Sequence, residues 1–452
     1  MTDFHHPKPR TRLRFRGDHA LGRITSKRRR GAQHASRRAT AGAGSCARLT
    51  RFLHALFFVA AAAQSAIVPL LPRLSHAYDL SPSGAAFLLA APGLATLAVS
   101  MPAGALVDRL GARRVTIAAT ALLSVSSLAQ AAPSYPLLIT GRLAFGLAFG
   151  VVWTSGVVWI SNAHREAGSP RIGSVVTSGA VGMVAGPAIG GVLGDLLGLP
   201  APFLIVSVLA TGLAFCLAWQ SEAPGRAATR KQNSLRALVR NVPSHPGVLA
   251  GAAVITISGS VGGITQLLVP LQLHAAGFSA SATGLVFSSA AGVYISASAL
   301  VVRLGRRATT VRCAALAAFL LALALLPATL ASGAGAVIAA LIVSTAPRAA
   351  VSTVSYPLAT ASAARGGLAD GLVVGFLNAT WAAGLVVAPL LAGAVDQAAG
   401  PSTAYLVAIV PGAIGALWLL ARGGIEEPPD EEYDVVRSDP PTAEHELVAA
   451  PV

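Results

Sequence analysis

From Phe52 to Ala421 the chain alternates long apolar runs with short polar breaks. The runs cover 52–72, 84–103, 115–132, 135–160, 172–196 and 202–219. After a polar, basic stretch from Gln220 to about His245 they resume at 247–273, 282–302, 310–330, 334–358, 368–395 and 403–421. Each is long enough for a helix that crosses a bilayer, which takes roughly 20 residues. The pattern predicts an all-α integral membrane protein with twelve transmembrane helices in two sets of six, both ends of the chain on the same side.

The breaks test that count independently. Those following the even-numbered runs are basic, from Arg109, Arg113 and Arg114 after the second run to Arg365 after the tenth, whereas the opposite breaks hold only Arg73. Retained Lys and Arg orient helices with the basic side cytoplasmic. Both termini are therefore expected in the cytoplasm, around a multi-pass protein of the cell (inner) membrane.

Composition agrees with this reading. Charged residues make up 12% of the chain, against about 25% in a soluble globule. The net charge of +16 would suit a nucleic-acid partner, but its confinement to one tail and alternate breaks reports topology instead. Cys46, Cys216 and Cys313 lie far apart and show no metal-ligand spacing. No cofactor or metal is expected, and the partners are a small-molecule substrate, protons and the lipid bilayer around a monomer.

The expected organisation is a basic disordered tail over 1–51, a first six-helix bundle over 52–220, a linker over 221–246, a second bundle over 247–422 and an acidic disordered tail over 423–452. The first tail, with Lys27, Arg28, Arg29 and Arg30 in a row, fits a segment drawn to anionic lipid, an over-extended start site or a transit peptide.

The halves repeat. Gly182, Pro187, Gly191, Gly198 and Phe203 match Gly384, Pro389, Gly393, Gly400 and Tyr405 at a constant offset of 202, and Leu106, Val107, Arg109, Leu110 and Gly111 match Leu300, Val301, Arg303, Leu304 and Gly305. Asp108 aligns with Val302, so only one copy carries the acid. A parallel duplication of this kind places a substrate site near mid-membrane between the halves.

Three stretches carry candidate chemistry. Gly104, Asp108, Arg109, Gly111, Arg113 and Arg114 form a tight charged turn between the second and third runs. Gly182, Gly186, Pro187, Gly190 and Gly191 fall three to four apart, on one helix face that a neighbouring helix can approach closely. Arg142 lies inside the fourth run, four residues before Gly146; a cation there costs about 2.5–3.5 kcal/mol on insertion scales, so it faces protein or a cavity. Arg348 is a second such cation.

These stretches resemble signatures of the major facilitator superfamily. The charged turn is similar to its loop 2-3 motif, which ties the two halves together in one access state. The helix 4 pair suggests a part in proton coupling, with a structural Arg held by backbone carbonyls as the alternative. The stretch 182–191 looks like the antiporter signature of the family's drug-exporting branch. The resemblance implies the major facilitator fold and proton-coupled efflux of a small amphipathic compound by alternating access. An uptake or facilitative carrier for a sugar, amino acid or organic anion is the alternative; no enzyme motif is found.

In such a fold the candidate cavity residues are Gln64, Trp153, Trp159, Gln266, Gln272, Tyr294, Arg348, Tyr356, Asn378 and Trp381. The acids between Arg51 and Arg422 all fall near helix ends or in breaks, which leaves Asp108 and Asp370 as protonation candidates.

Overall fold

The computed structural model describes residues 47–163, 169–220, 245–365 and 370–422. The expected linker, the acidic tail and the basic tail before residue 47 lie outside the described residues. Residues 47–51, expected in that tail, are instead helical and continuous with the first helix. Leu49, Leu53 and Leu56 recur on one face and all three are buried, so the apolar stripe carries the helix further than the unbroken run does.

Twelve helices follow in order: α1 Ala47–Ala77, α2 Pro82–Leu110, α3 Ala112–Gln130, α4 Tyr135–Ala163, α5 Ser169–Leu197, α6 Ala201–Ala218, α7 Pro246–Ala275, α8 Ala280–Leu304, α9 Val311–Leu330, α10 Ala334–Arg365, α11 Asp370–Ala399 and α12 Pro401–Ala421. Eleven of them are long and apolar enough to span a membrane, and α3 is the exception. Its 19 residues reach about 28 Å at 1.5 Å each, so length is not what it lacks. Its polar residues are buried and partnered: the Thr116 hydroxyl lies 2.8 Å from both Ala112 O of its own helix and Ser155 Oγ of α4, and Ser124 Oγ bonds Ser207 and Thr211 of α6. Hydroxyls satisfied in this way sit in a membrane at little cost.

The helices form two six-helix bundles with the same internal pairing. In the first, α3 packs on α4 and α6, α4 on α2, and α1 on α5; in the second, α9 packs on α10 and α12, α10 on α8, and α7 on α11. The bundles meet through α2 against α11 and α5 against α8, which exchange under the same relation. The sequence repeat returns in space: Gly182 lies on the α1 backbone at Phe58 and Gly384 on the α7 backbone at Thr256, while Gly191 meets the start of α8 at Ala280 and Gly393 the start of α2 at Pro82.

Candidate functional site

The two ends of the molecule differ. At the end opposite the charged turn the bundles are joined by polar contacts. Asp195, near the end of α5, takes 3.3 Å from Arg73 Nη1 within its own bundle and accepts a 2.7 Å hydrogen bond from the backbone N–H of Ser281, the second residue of α8. Arg73 also donates to Gly194 O at 2.7 Å. Across the pseudo-axis, Ser83, the second residue of α2, donates to Gln397 Oε1 at 2.7 Å. Asp195 and Gln397 are 202 apart in sequence, the offset of the repeat, so the same latch is built twice and only one copy is charged. Ser288 of α8 adds a 2.9 Å bond to Val184 O of α5. A cavity of about 130 Å³ remains beside the charged latch, lined by Arg73, Asp195, His274 and Thr283 among others.

At the charged-turn end no ion pair or hydrogen bond joins the bundles among the described residues, and we read this end as parted. Asp108, Arg109 and Leu110 of α2 and Val302 and Leu304 of α8 are exposed, and nothing lies within 4 Å of where a Cβ on Gly104 would sit. Gly104 therefore has no close neighbour among the described residues. Gly111 does make the turn, at φ 85°, in the region where a side chain is disfavoured. Arg113 holds the first bundle together: its Nε donates to Gln220 O at 2.7 Å and its Nη2 to Ala218 O at 2.5 Å. These are carbonyls left open at the end of α6.

Arg142 is fully buried, at 0% exposure, where α4 crosses α2. Pro92 of α2 has no N–H, so the carbonyl of Leu88, four residues earlier, loses its helical donor. Arg142 Nε lies 3.4 Å from that carbonyl, while Nη1 and Nη2 have no hydrogen-bond partner. One turn on, a Cβ on Gly146 would overlap the backbone of Pro92. The Arg and the Gly thus serve a single crossing: Gly146 lets α4 reach the proline, and Arg142 faces the carbonyl it freed.

The α5 glycines divide between two neighbours. Gly182, Gly186 and Gly190 lie against the α1 backbone at Phe58, Ala62 and Ala66, whereas Gly191 and Pro187 lie against α8 of the other bundle at Ala280 and Gly284. The stretch is therefore part of the seam between bundles as well as a packing face.

The candidate cavity residues separate. In the second bundle Tyr294 and Arg348 lie near the middle of α8 and α10, with Arg348 Cζ 5.5 Å from the Tyr294 ring centre; Tyr356 and Asn378 lie about two turns nearer the charged-turn end, where Tyr356 Oη donates to Asn378 Oδ1 at 2.5 Å. Trp381, 36% exposed, stands one turn beyond Asn378. In the first bundle Trp153 joins Phe57 and Phe149, at 4.7 and 5.8 Å between ring centres, with its Nε1 unpartnered; Gln64 Oε1 is buried and also unpartnered. Gln266 is half-buried on α7. Gln272 lies near the joined end of α7 and receives Tyr405 Oη at 3.4 Å. Trp159 is a core side chain at 1% exposure. Of the protonation candidates, Asp108 is exposed near the end of α2 and Asp370 is the first residue of α11. The joined-end pairs Asp195–Ser281 and Gln397–Ser83 were absent from the sequence reading; the 202 offset linking positions 195 and 397 was their only trace.

Comparisons with known proteins bear on this arrangement. The profile described as Major Facilitator Superfamily matches residues 53–371. The purine ribonucleoside efflux pump NepI of Shigella sonnei (strain Ss046) is 30% identical over 185 residues, 39% of this chain and 44% of that pump, so the match spans less than half of the relative. A bacterial homolog to the human lysosomal transporter Spinster, solved in an inward-facing and occupied conformation, superposes with a TM-score of 0.68 at 15% identity, over 83% of this chain and 96% of that one. The nucleoside transporter NupG gives 0.68 at 12% identity, over 82% and 98%. With two repeated six-helix bundles and a matching profile over more than half its length, the chain belongs to the major facilitator superfamily.

Proposed function

We propose that the chain is a secondary active exporter of a small amphipathic organic compound in the cell membrane, coupled to protons and working by alternating access. The observation that carries this reading is the contrast between the two ends, one latched across the pseudo-axis and the other parted, with polar and aromatic side chains between them. The basic breaks support a cytoplasmic position for the parted end, and on this reading the conformation is the inward-open one.

Export is supported by the α5 stretch 182–191, similar to the antiporter signature, and by a relative described as an efflux pump. Asp108 is the proposed tie at the cytoplasmic end when that end closes. The described acids sit at helix ends or between helices rather than at membrane depth, which favours a second reading, an uptake or facilitative carrier driven by the solute's own gradient.

Inverted membrane vesicles loaded with a pH dye and challenged with a compound panel separate the two. Solute-triggered proton efflux that Arg142→Ala abolishes supports coupled export. Solute movement indifferent to the pH gradient removes the proton-coupled reading and leaves the facilitative one.

A further inference from the structure

We infer that the solute held at mid-depth is an organic anion with an apolar body, and that Arg348 meets its charge; this rests on the carrier reading above and adds the substrate class. Two cations lie within the membrane, Arg142 and Arg348, and the described acids offer neither a partner. Asp79, Asp108, Asp195, Asp370 and Asp396 are at or near helix ends or between helices, and the single ion pair among the described residues is Arg73–Asp195. Arg142 is fully buried in the crossing of α2 and α4, facing the Leu88 carbonyl.

Arg348 is placed differently. It lies fourteen residues from one end of α10 and seventeen from the other, about 21 and 26 Å at the helical rise. Among the described residues its contacts are the Tyr294 ring, 5.5 Å away, and the backbone of α7 at Gly262, where a Cβ would come within 3.3 Å of Nη1. Among the described residues no hydrogen-bond acceptor takes its N–H groups, of which a guanidinium has five. A ring face binds a cation without using those edge donors, so Tyr294 orients the group and leaves its fork free. A guanidinium fork matches a carboxylate or phosphate in two parallel bonds.

The surroundings supply the rest. Tyr356 gives its proton to Asn378 Oδ1, which leaves the Asn378 amide N–H groups available, so this wall offers donors and few acceptors. Asn378 is exposed eight residues into α11, about 12 Å along the helix. A carboxamide at that depth belongs against water rather than lipid, so it faces the parted cavity. Trp381 one turn on offers a flat apolar surface for the rest of the ligand.

The test uses the purified full chain in lipid nanodiscs with 1-naphthoate and its uncharged isostere 1-naphthamide, followed by quenching of tryptophan fluorescence. The wild type is expected to bind naphthoate saturably and at least about tenfold tighter than naphthamide. Arg348→Gln should erase that preference without changing naphthamide binding, and Arg348→Lys should keep part of it. A second measurement needs no binding: with the native cysteines replaced by Ser, Asn378→Cys is labelled by anionic and cationic thiosulfonates, and the anionic-to-cationic rate ratio should fall about tenfold on Arg348→Gln.

Absent naphthoate binding, equal affinities, a preference that survives Arg348→Gln, or an unchanged labelling ratio would each overturn the proposal. Vesicles that move neutral compounds while these results fail would remove the anion and keep the carrier. Selective naphthoate binding with no solute movement would keep the site and remove export.

Discussion

Replacing Asp195 with Ala removes the charged member of the two latches at the joined end, the outer end on the proposed orientation. Its Oδ2 accepts the Ser281 N–H at 2.7 Å, one of the donors at the start of α8 that have no partner within the helix. Loss of a side-chain acceptor at a helix start costs about 0.5–2 kcal/mol. With its carboxylate about a quarter exposed, a value near 1 kcal/mol is reasonable. Because the bond exists only while the outer end is closed, the whole loss moves the equilibrium toward the outward-open state, by about fivefold at 1.4 kcal/mol per decade. Gln397→Ala should act in the same direction by a similar amount, since a neutral hydrogen bond contributes about 0.5–1.5 kcal/mol. One movement breaks both latches, so the double variant should multiply the two factors. The assay labels Thr283→Cys, a position 2% exposed beside the latch, with a membrane-impermeant thiol reagent added from outside, the native cysteines having been replaced. Labelling should accelerate about fivefold in each single variant and about 25-fold in the double. Rates unchanged in all three, with the variants folded and inserted, would refute the idea that these pairs hold the gate.

Three further outcomes follow from the geometry. Gly146→Leu drives a side chain into the Pro92 backbone and should cost at least about 1–3 kcal/mol, lowering the unfolding temperature in detergent, whereas Gly104→Leu, with open space around it, should leave that temperature unchanged; the reverse order would contradict the crossing. Arg142→Leu strands the carbonyl of Leu88, and adding Pro92→Ala returns a helical donor to it, so the double variant should regain about 1 kcal/mol in thermal unfolding; strict additivity would show that the two do not share that carbonyl. Asp108→Asn should leave the stability of this state untouched, because Asp108 is exposed here, yet shorten the time the cytoplasmic end stays closed, read by cysteine labelling from that side; equal labelling in both proteins would remove the tie.

The fold was legible because a membrane makes apolar length the dominant signal, and even α3 was found as a run although its hydroxyls lower its hydropathy. Helix limits were less legible. The first helix is already formed at Ala47, where Leu49 continues its buried stripe, and neighbouring Arg residues hid that continuation. Glycine spacing on α5 gave the face but not its division between α1 and α8, since spacing names a side of a helix and not its neighbour. Gln272 and Trp159 were drawn into the cavity set by residue type, and their surroundings, Tyr405 and the core of the first bundle, depend on rotation about helix axes that no one-dimensional pattern carries. The latches escaped notice because each joins residues of different repeats through one hydrogen bond, without any periodicity.

The most direct test of the central claim is a pair of distances, measured by double electron–electron resonance on spin labels in nanodiscs. One pair sits at Arg109→Cys and Arg303→Cys on the parted end, the other at Ala77→Cys and Ala276→Cys, exposed beside the latches on the joined end. Two bundles rocking about a central site predict that, as solute and pH gradient are varied, the first distance shortens in the same population in which the second lengthens. Distances that stay fixed, or that lengthen and shorten together, would contradict it.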